Sequence, residues 1–306
     1  ERLGDTVALK FLQPHLAHDP ALIAELRKEA AANRQLTHQN IVQLYDIYES
    51  PTEAPFLVME FVEGASLHTL RQKKENEIYR WPELRPILLQ LCSALDHAHG
   101  VQLIHRDLKP ANILIDLTGR VKLADFGISA SLADAYVELL GQRDTRGTVT
   151  FMSPQQMAGE PPVVADDLYA LGSTLYELLT GEPPFHTGDL SHQVQAVPPQ
   201  PIAARLREKQ IESDTPEPIS QLIISCLEKD PAQRPASIRA IAHAVDPAAA
   251  TQPLFITPPP ATARPTGRQT AASPRRKFSA EFYIVMALMA ALLVIAAVTL
   301  WTVLKN

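Results

Sequence analysis

The chain has 306 residues, with 28 Lys and Arg against 34 Asp and Glu, which gives a formal charge of −6. This acidic balance excludes a protein built wholly for binding nucleic acid. Two cysteines occur in the sequence, Cys92 and Cys226, so a disulfide-stapled secreted domain is excluded and a reducing compartment is expected. Both lie in apolar, helix-like stretches and are predicted to be small buried side chains.

The first 246 residues alternate apolar periodic segments with short Gly, Pro and Asp breaks. Strands are predicted over residues 6–11, 41–49 and 56–61, and a helix from Pro20, with Asp19 as its N-cap, to about Asn33. From about Glu83 the pattern is mostly helical, interrupted by a loop over residues 103–130. A β-rich segment followed by a larger helical one predicts two lobes with a cleft between them.

Residues 247–281 differ in composition, with seven prolines between Pro247 and Pro274 and then a basic cluster at residues 275–277. Such a segment cannot bury enough apolar surface to offset its ordering entropy, so a semi-extended juxtamembrane linker is predicted. A PxxP ligand is the alternative interpretation.

Residues 282–304 carry no charge, and 23 residues of helix extend about 34 Å, enough to cross a ~30 Å hydrocarbon core. Tyr283 and Trp301 lie near opposite ends, where interfacial aromatics are found. Basic residues are concentrated on the N-terminal side. The positive-inside rule therefore predicts a single-pass protein of the inner or plasma membrane, in contact with the lipid bilayer, with residues 1–281 in the cytoplasm.

Three short motifs carry the groups that phosphoryl transfer from a nucleotide requires. They are VALK at residues 7–10, HRDLKPAN at residues 105–112 and DFG at residues 125–127. Such a reaction needs a cation on the α/β-phosphates, oxygen ligands for Mg²⁺, and a carboxylate that accepts the proton of the substrate hydroxyl. Lys10 supplies the cation, Asp125 with Asn112 the metal ligands, and Asp107 the base.

These motifs resemble those of the eukaryotic-type (Hanks-type) protein Ser/Thr kinases, specifically the membrane-anchored bacterial branch, over residues 1–245. The resemblance implies an α+β, bilobal protein-kinase fold plus one transmembrane helix. Residues 1–62 would form a partial N-lobe and hinge, and residues 63–246 the C-lobe. It also implies ATP and Mg²⁺ as cofactors, with Mn²⁺ as an alternative, and protein substrates phosphorylated on Ser or Thr.

Within the resemblance, Lys10 matches the lysine of the third N-lobe strand, which needs an ion-pair partner on the following helix. Glu29 fits that glutamate best, and Glu25, one turn earlier, is the rival.

The adenine site follows from the same resemblance. Met59 matches the gatekeeper, and the backbone of Glu60 and Val62 would bond the adenine edge. Ala8 and Leu114 would sandwich the ring from above and below.

Lys109, two residues after Asp107, is typical of Ser/Thr kinases, where this lysine contacts the γ-phosphate as part of the catalytic group with Asp107 and Asn112. Thr148, after Gly147, resembles the threonine of the substrate platform that braces Asp107 and Lys109.

Arg106 matches the arginine that pairs with a phosphorylated activation-loop residue in the family. The loop runs here from Asp125 to about Pro154, and Thr145 is the preferred phosphosite. Autophosphorylation between two copies in a homodimer is expected to activate the enzyme.

Four further residues near the catalytic loop are not expected to take part in the chemistry. Asp167 is expected to hold the backbone of the catalytic loop, whereas Asp166 is expected to be a surface carboxylate. His97 and His99, at the end of the preceding helix, are interpreted as structural residues.

The sequence departs from the family pattern in two places. The Gly-rich loop that covers the ATP phosphates would lie before Lys10, where the sequence has nine residues, so two strands are expected to be missing and ATP binding to be poor. A truncated sequence is the expected cause. At Gln155 the family usually has a glutamate ion-paired with the residue matching Arg234, and an amide can form only a hydrogen bond there.

The predicted function is therefore a membrane-anchored protein Ser/Thr kinase with no nucleic-acid partner. A membrane-anchored pseudokinase scaffold is one alternative, favoured by the absent Gly-rich loop. A small-molecule phosphotransferase of the antibiotic-kinase type is another, disfavoured by Lys109-Pro110 and by the platform at residues 147–155.

Overall fold

The computed structural model of the protein describes residues 6–11, 20–50, 55–126 and 149–247. The predicted span over residues 282–304 and the linker from residue 248 onwards lie outside these ranges. Among the described residues, no helix combines the length and apolar character that crossing a membrane requires.

The first three strands form an antiparallel sheet in the spatial order β1-β3-β2. Their bounds are β1 (Val7–Phe11), β2 (Leu44–Tyr48) and β3 (Phe56–Glu60), and helix α1 (Pro20–Asn33) lies between β1 and β2 in the chain. Leu26 and Ala30 of α1 form a small buried cluster with Leu44 and Leu57 of the sheet. This cluster fixes α1 on the sheet, and with it the side chain of Glu29.

The predicted elements of this half are confirmed with small changes at their ends. The helix has the predicted bounds, and the strand predicted over residues 41–49 is shorter, at Leu44–Tyr48.

A second antiparallel sheet has the order β4-β5-β6 and consists of β4 (Gly64–Ser66), β5 (Ile113–Asp116) and β6 (Val121–Leu123). β5 and β6 lie inside residues 103–130, so the prediction of a continuous loop there was wrong. Each strand has only three or four residues. β5 pairs with β4, about fifty residues earlier, and β6 pairs with β5; a local pattern does not contain the pairing with β4.

The remaining helices form the larger, helical half of the described chain. They are α2 (Leu67–Arg71), α3 (Trp81–Gly100), α4 (Pro154–Met157), α5 (Val164–Thr180), α6 (Leu190–Ala196), α7 (Ile202–Glu208), α8 (Glu217–Cys226) and α9 (Ile238–Val245). Short 3₁₀ turns occur at Glu75–Glu77, Pro110–Asn112, Val149–Phe151 and Pro231–Gln233.

Helix α5 is the centre of this half, because every residue from Asp166 to Thr180 is buried. It lies close against α8 at Gly172, where a Cβ atom would lie 2.7 Å from the Cβ of Cys226. Cys92 and Cys226 are both buried and free, as predicted. Burial raises the pKa of the Cys226 thiol to about 12, so this thiol is not a reactive thiolate at neutral pH.

Candidate active site

The catalytic loop at residues 105–112 holds Asp107 from two sides. Lys109 places its Nζ 2.9 Å from Oδ1 of Asp107 and the same distance from Oδ2. The side-chain amide of Asn112 donates to the Asp107 carbonyl at 2.8 Å and to its carboxylate Oδ2 at 3.0 Å. The structure therefore brings the three predicted catalytic residues together around one carboxylate.

Asp167, at the start of α5, fixes the backbone that leads into Asp107. Its Oδ2 accepts the His105 N–H at 2.8 Å, and its Oδ1 accepts the Arg106 N–H at 2.9 Å. His99 Nε2 lies 2.8 Å from the same Oδ2. The expected role of Asp167 is thus observed, and His99 is a structural residue that supports it.

Asp166 was predicted to be a surface carboxylate, and that prediction was wrong. The residue is 1% exposed. Its Oδ1 accepts the Ser153 hydroxyl at 2.6 Å and its Oδ2 accepts the Val163 N–H at 2.8 Å. Because α5 is buried on all sides, two successive carboxylates both point into the protein and serve different neighbours.

Lys10 and Asp125 meet although they lie on distant parts of the chain. Lys10 projects from β1, and its Nζ is 2.7 Å from Oδ1 of Asp125. Phe126 is buried with its ring 4.6 Å from that of His105, and its carbonyl accepts the Asn33 side-chain amide at 3.0 Å. Asn33 therefore links α1 to the segment that carries Asp125, a role that sequence reasoning missed.

Asp125 and Asn112 present a ligand set that fits a divalent metal. Both offer oxygen atoms, which Mg²⁺ prefers, and one or two such ligands are typical where nucleotide phosphates and water complete the shell. The Asn112 amide nitrogen makes the bonds to Asp107, so its oxygen is the atom available to a metal.

Glu29 lies against the catalytic loop in this structure. Its Oε1 is 3.6 Å from Nη1 of Arg106, and its side chain is largely buried. The pairing of Glu29 with Lys10 stays a prediction, and the Glu25 side chain lies outside the described structure.

The residues predicted to bind adenine all lie in the described part of the chain: Ala8, Met59, Glu60, Val62 and Leu114. Ala8 and Met59 are cross-strand partners on β1 and β3, and Leu114 lies on β5. The Glu60 side chain is held by Lys122 Nζ at 2.6 Å, which ties the end of β3 to β6. Their contact with a nucleotide stays a prediction.

Thr145 and Thr148, with Gly147, lie outside the described residues, so their predicted roles are not tested.

The sequence predicted that Gln155 would form a hydrogen bond with Arg234 in place of an ion pair, and the structure shows this bond. The Nη2 of Arg234 donates to Gln155 Oε1 at 2.6 Å, and further bonds reach the carbonyls of Glu228, Ala165 and Lys229. Burial lowers the pKa of Arg234 from its ordinary value. A neutral amide and three carbonyls thus satisfy the guanidinium.

Within the described residues, the arrangement is that of a protein kinase domain. It has a β-rich half and a helical half, and Asp107 and Asp125 lie between the two. The model of the protein kinase domain family matches residues 1–245. The chain therefore belongs to the protein kinase family, in its Hanks-type serine/threonine branch.

Similar proteins support this assignment. The serine/threonine-protein kinase PknB of Mycobacterium tuberculosis is 38% identical over 239 residues, which cover 76% of this chain and 37% of that protein. A probable serine/threonine-protein kinase PknB of Bifidobacterium longum is 39% identical over 196 residues, covering 61% and 28%. The chain thus spans only 37% and 28% of the lengths of these two relatives.

Among solved structures, the PknI kinase domain of Mycobacterium tuberculosis matches with a TM-score of 0.62 at 26% identity. The match covers 79% of this chain and 85% of that one.

Proposed function

We propose that the protein transfers the γ-phosphate of ATP to Ser or Thr hydroxyls of protein substrates. The observation that carries this proposal is the Asp107 carboxylate, held by Lys109 and Asn112, on the same fold as the Lys10–Asp125 pair. Relatives of the PknB type are named serine/threonine-protein kinases, which supports the same substrate class.

In the proposed reaction, Asp107 accepts the proton of the substrate hydroxyl while the hydroxyl oxygen forms a bond to the γ-phosphorus. The bond from that phosphorus to the β–γ bridging oxygen breaks, and ADP leaves with its electron pair. Lys109, already beside Asp107, neutralises charge on the transferred group, and Lys10 binds the α/β-phosphates. Asp125 and Asn112 would hold Mg²⁺, which when bound offsets the phosphate charge.

Activation-loop phosphorylation is proposed as the regulatory step. Arg106 pairs with Glu29 at 3.6 Å, and a phosphate on Thr145 would bring about −1.5 to −2 charge, a stronger partner for a guanidinium. Phosphorylation would then draw Arg106 away from Glu29 and leave Glu29 to pair with Lys10. Transfer between two copies in a homodimer fits this step.

Membrane anchoring by residues 282–304, with the kinase part in the cytoplasm, belongs to the same proposal and rests on the uncharged segment and its basic N-terminal flank. A reporter fused after residue 306 should then be exported. Recovery of the full chain in the soluble fraction would refute the anchoring.

The activity is tested with labelled ATP, Mg²⁺ and a Ser/Thr peptide, using the chain as it stands and the chain extended by a Gly-rich loop. Asp107→Asn should remove most of the labelling, because the base is lost. Asp46→Asn, the same change at an exposed carboxylate on β2, should leave it unchanged. Equal labelling by the parent and Asp107→Asn would overturn the proposal.

A further inference from the structure

Gln156 in α4 uses the two ends of its side-chain amide on two different parts of the fold. Its Oε1 accepts the Ser153 N–H at 3.0 Å and closes a capping box at the start of α4. Its Nε2 donates to the carbonyl of Arg106 at 3.0 Å, across fifty residues of chain. The first bond is local and structural, whereas the second reaches the catalytic loop.

The acceptor of that second bond lies in a backbone segment that needs support. Arg106 has a φ of 67°, a left-handed conformation that costs free energy for a residue with a side chain. Its N–H is held by Asp167 at 2.9 Å, and its carbonyl is held by Gln156 at 3.0 Å. The next N–H, that of Asp107, lies 3.2 Å from His105 Nδ1.

The peptide group between Arg106 and Asp107 is therefore fixed at both its oxygen and its N–H. The orientation of that peptide plane sets the direction in which the Asp107 side chain leaves the backbone. Among the described contacts at this peptide, only the bond from Gln156 comes from the segment that directly follows the activation loop.

We propose that Gln156 is a positioning residue for phosphoryl transfer, acting through the Arg106 carbonyl to orient Asp107. The inference rests on the proposed kinase function of the same site. It couples the position of α4, next to the predicted substrate platform, to the orientation of the general base. Misplacing a base by a fraction of an ångström lowers the rate of the chemical step and leaves nucleotide binding intact.

The amide allows the two roles to be separated by substitution. Gln156→Glu keeps an oxygen for the Ser153 N–H and so keeps the capping box, but it replaces the donor to Arg106 with an oxygen that repels the carbonyl. Gln156→Ala removes both bonds. Gln221→Glu, the same change at an exposed residue of α8, is the matched control.

Two measurements on the full chain test the proposal. The first is kcat and KM for ATP with a Ser/Thr peptide, and the second is amide hydrogen exchange of a proteolytic fragment that contains residues 105–108. Gln156→Glu should lower kcat by about tenfold or more and change the KM for ATP less than about twofold. It should also speed exchange in that fragment. Gln221→Glu should do none of these.

Unchanged exchange at residues 105–108, or a kcat of Gln156→Glu within about twofold of the parent, would overturn the proposal, because the donor would then not position the base. If kcat falls in Gln156→Ala and not in Gln156→Glu, Gln156 acts only by stabilising α4, and the proposal is overturned as well. A parent that transfers no phosphate, both as it stands and when extended by a Gly-rich loop, would instead refute the kinase function, and the exchange measurement would still decide whether Gln156 holds the loop.

Discussion

Replacing Asp167 with Asn keeps the shape of the side chain and exchanges one carboxylate oxygen for an amide group. Three donors converge on the carboxylate: the N–H groups of His105 and Arg106 and the Nε2 of His99. An amide has one acceptor oxygen, so at least one backbone N–H loses its partner and faces an NH₂ group in either orientation. Asp167 is fully buried, so water does not replace the lost acceptor.

Losing such a bond to a buried charged acceptor costs about 2–4 kcal/mol of unfolding free energy. The same change releases the backbone beside Asp107, so kcat should fall by about 10²-fold. Urea unfolding measures the first quantity and steady-state phosphorylation of a Ser/Thr peptide the second, at a temperature where the variant remains folded.

The matched control is Glu177→Gln, on the same helix and also buried. Glu177 pairs with Arg71 at 3.2 Å, and Arg71 also donates to the carbonyls of Glu77 and Gly181, so the described polar contacts of this pair are made away from Asp107. The variant should lose stability and keep its kcat. The reasoning is refuted if Asp167→Asn retains kcat within about twofold of the parent, or if both variants lose kcat in proportion to stability.

Three further predictions concern stability. Gly172→Ala should lower the unfolding free energy by about 1–2 kcal/mol, because its Cβ would lie 2.7 Å from that of Cys226 and the overpacking outweighs the gain in helix propensity; an unchanged urea midpoint would contradict this. Burial lowers the pKa of His38 to about 4 from 6.5, so the unfolded chain binds the proton more readily than the folded chain. The unfolding free energy should therefore fall by about 1–2 kcal/mol as the pH drops from 6.5 towards 4. Urea titrations at pH 7 and pH 5 measure this, and His38→Asn should flatten it; equal pH dependence of both proteins would rule it out. Asn33→Asp should cost about 1–3 kcal/mol, since the donor to the Phe126 carbonyl is lost in a buried position, and full stability of that variant in thermal unfolding would count against the contact.

The chemistry of the site was readable from the sequence because its reacting groups are contiguous. Asp107, Lys109 and Asn112 lie within six residues, so the sequence alone places their side chains on one short loop. The start of α1 was likewise fixed locally, by Pro20. The family assignment followed from these local signals.

Contacts between distant parts of the chain were decided by the tertiary structure alone. Strand β5 exists through pairing with β4 on one side and β6 on the other, so a loop was predicted where a sheet forms. Asp166 and Asp167 are neighbours in sequence, and only the burial of α5 on all sides turns both inward, one to Ser153 and the other to the catalytic loop. The bond from Gln156 to the Arg106 carbonyl spans fifty residues. A hydrogen bond depends on positions in space within a few tenths of an ångström, and residue types at that separation along the chain do not determine them.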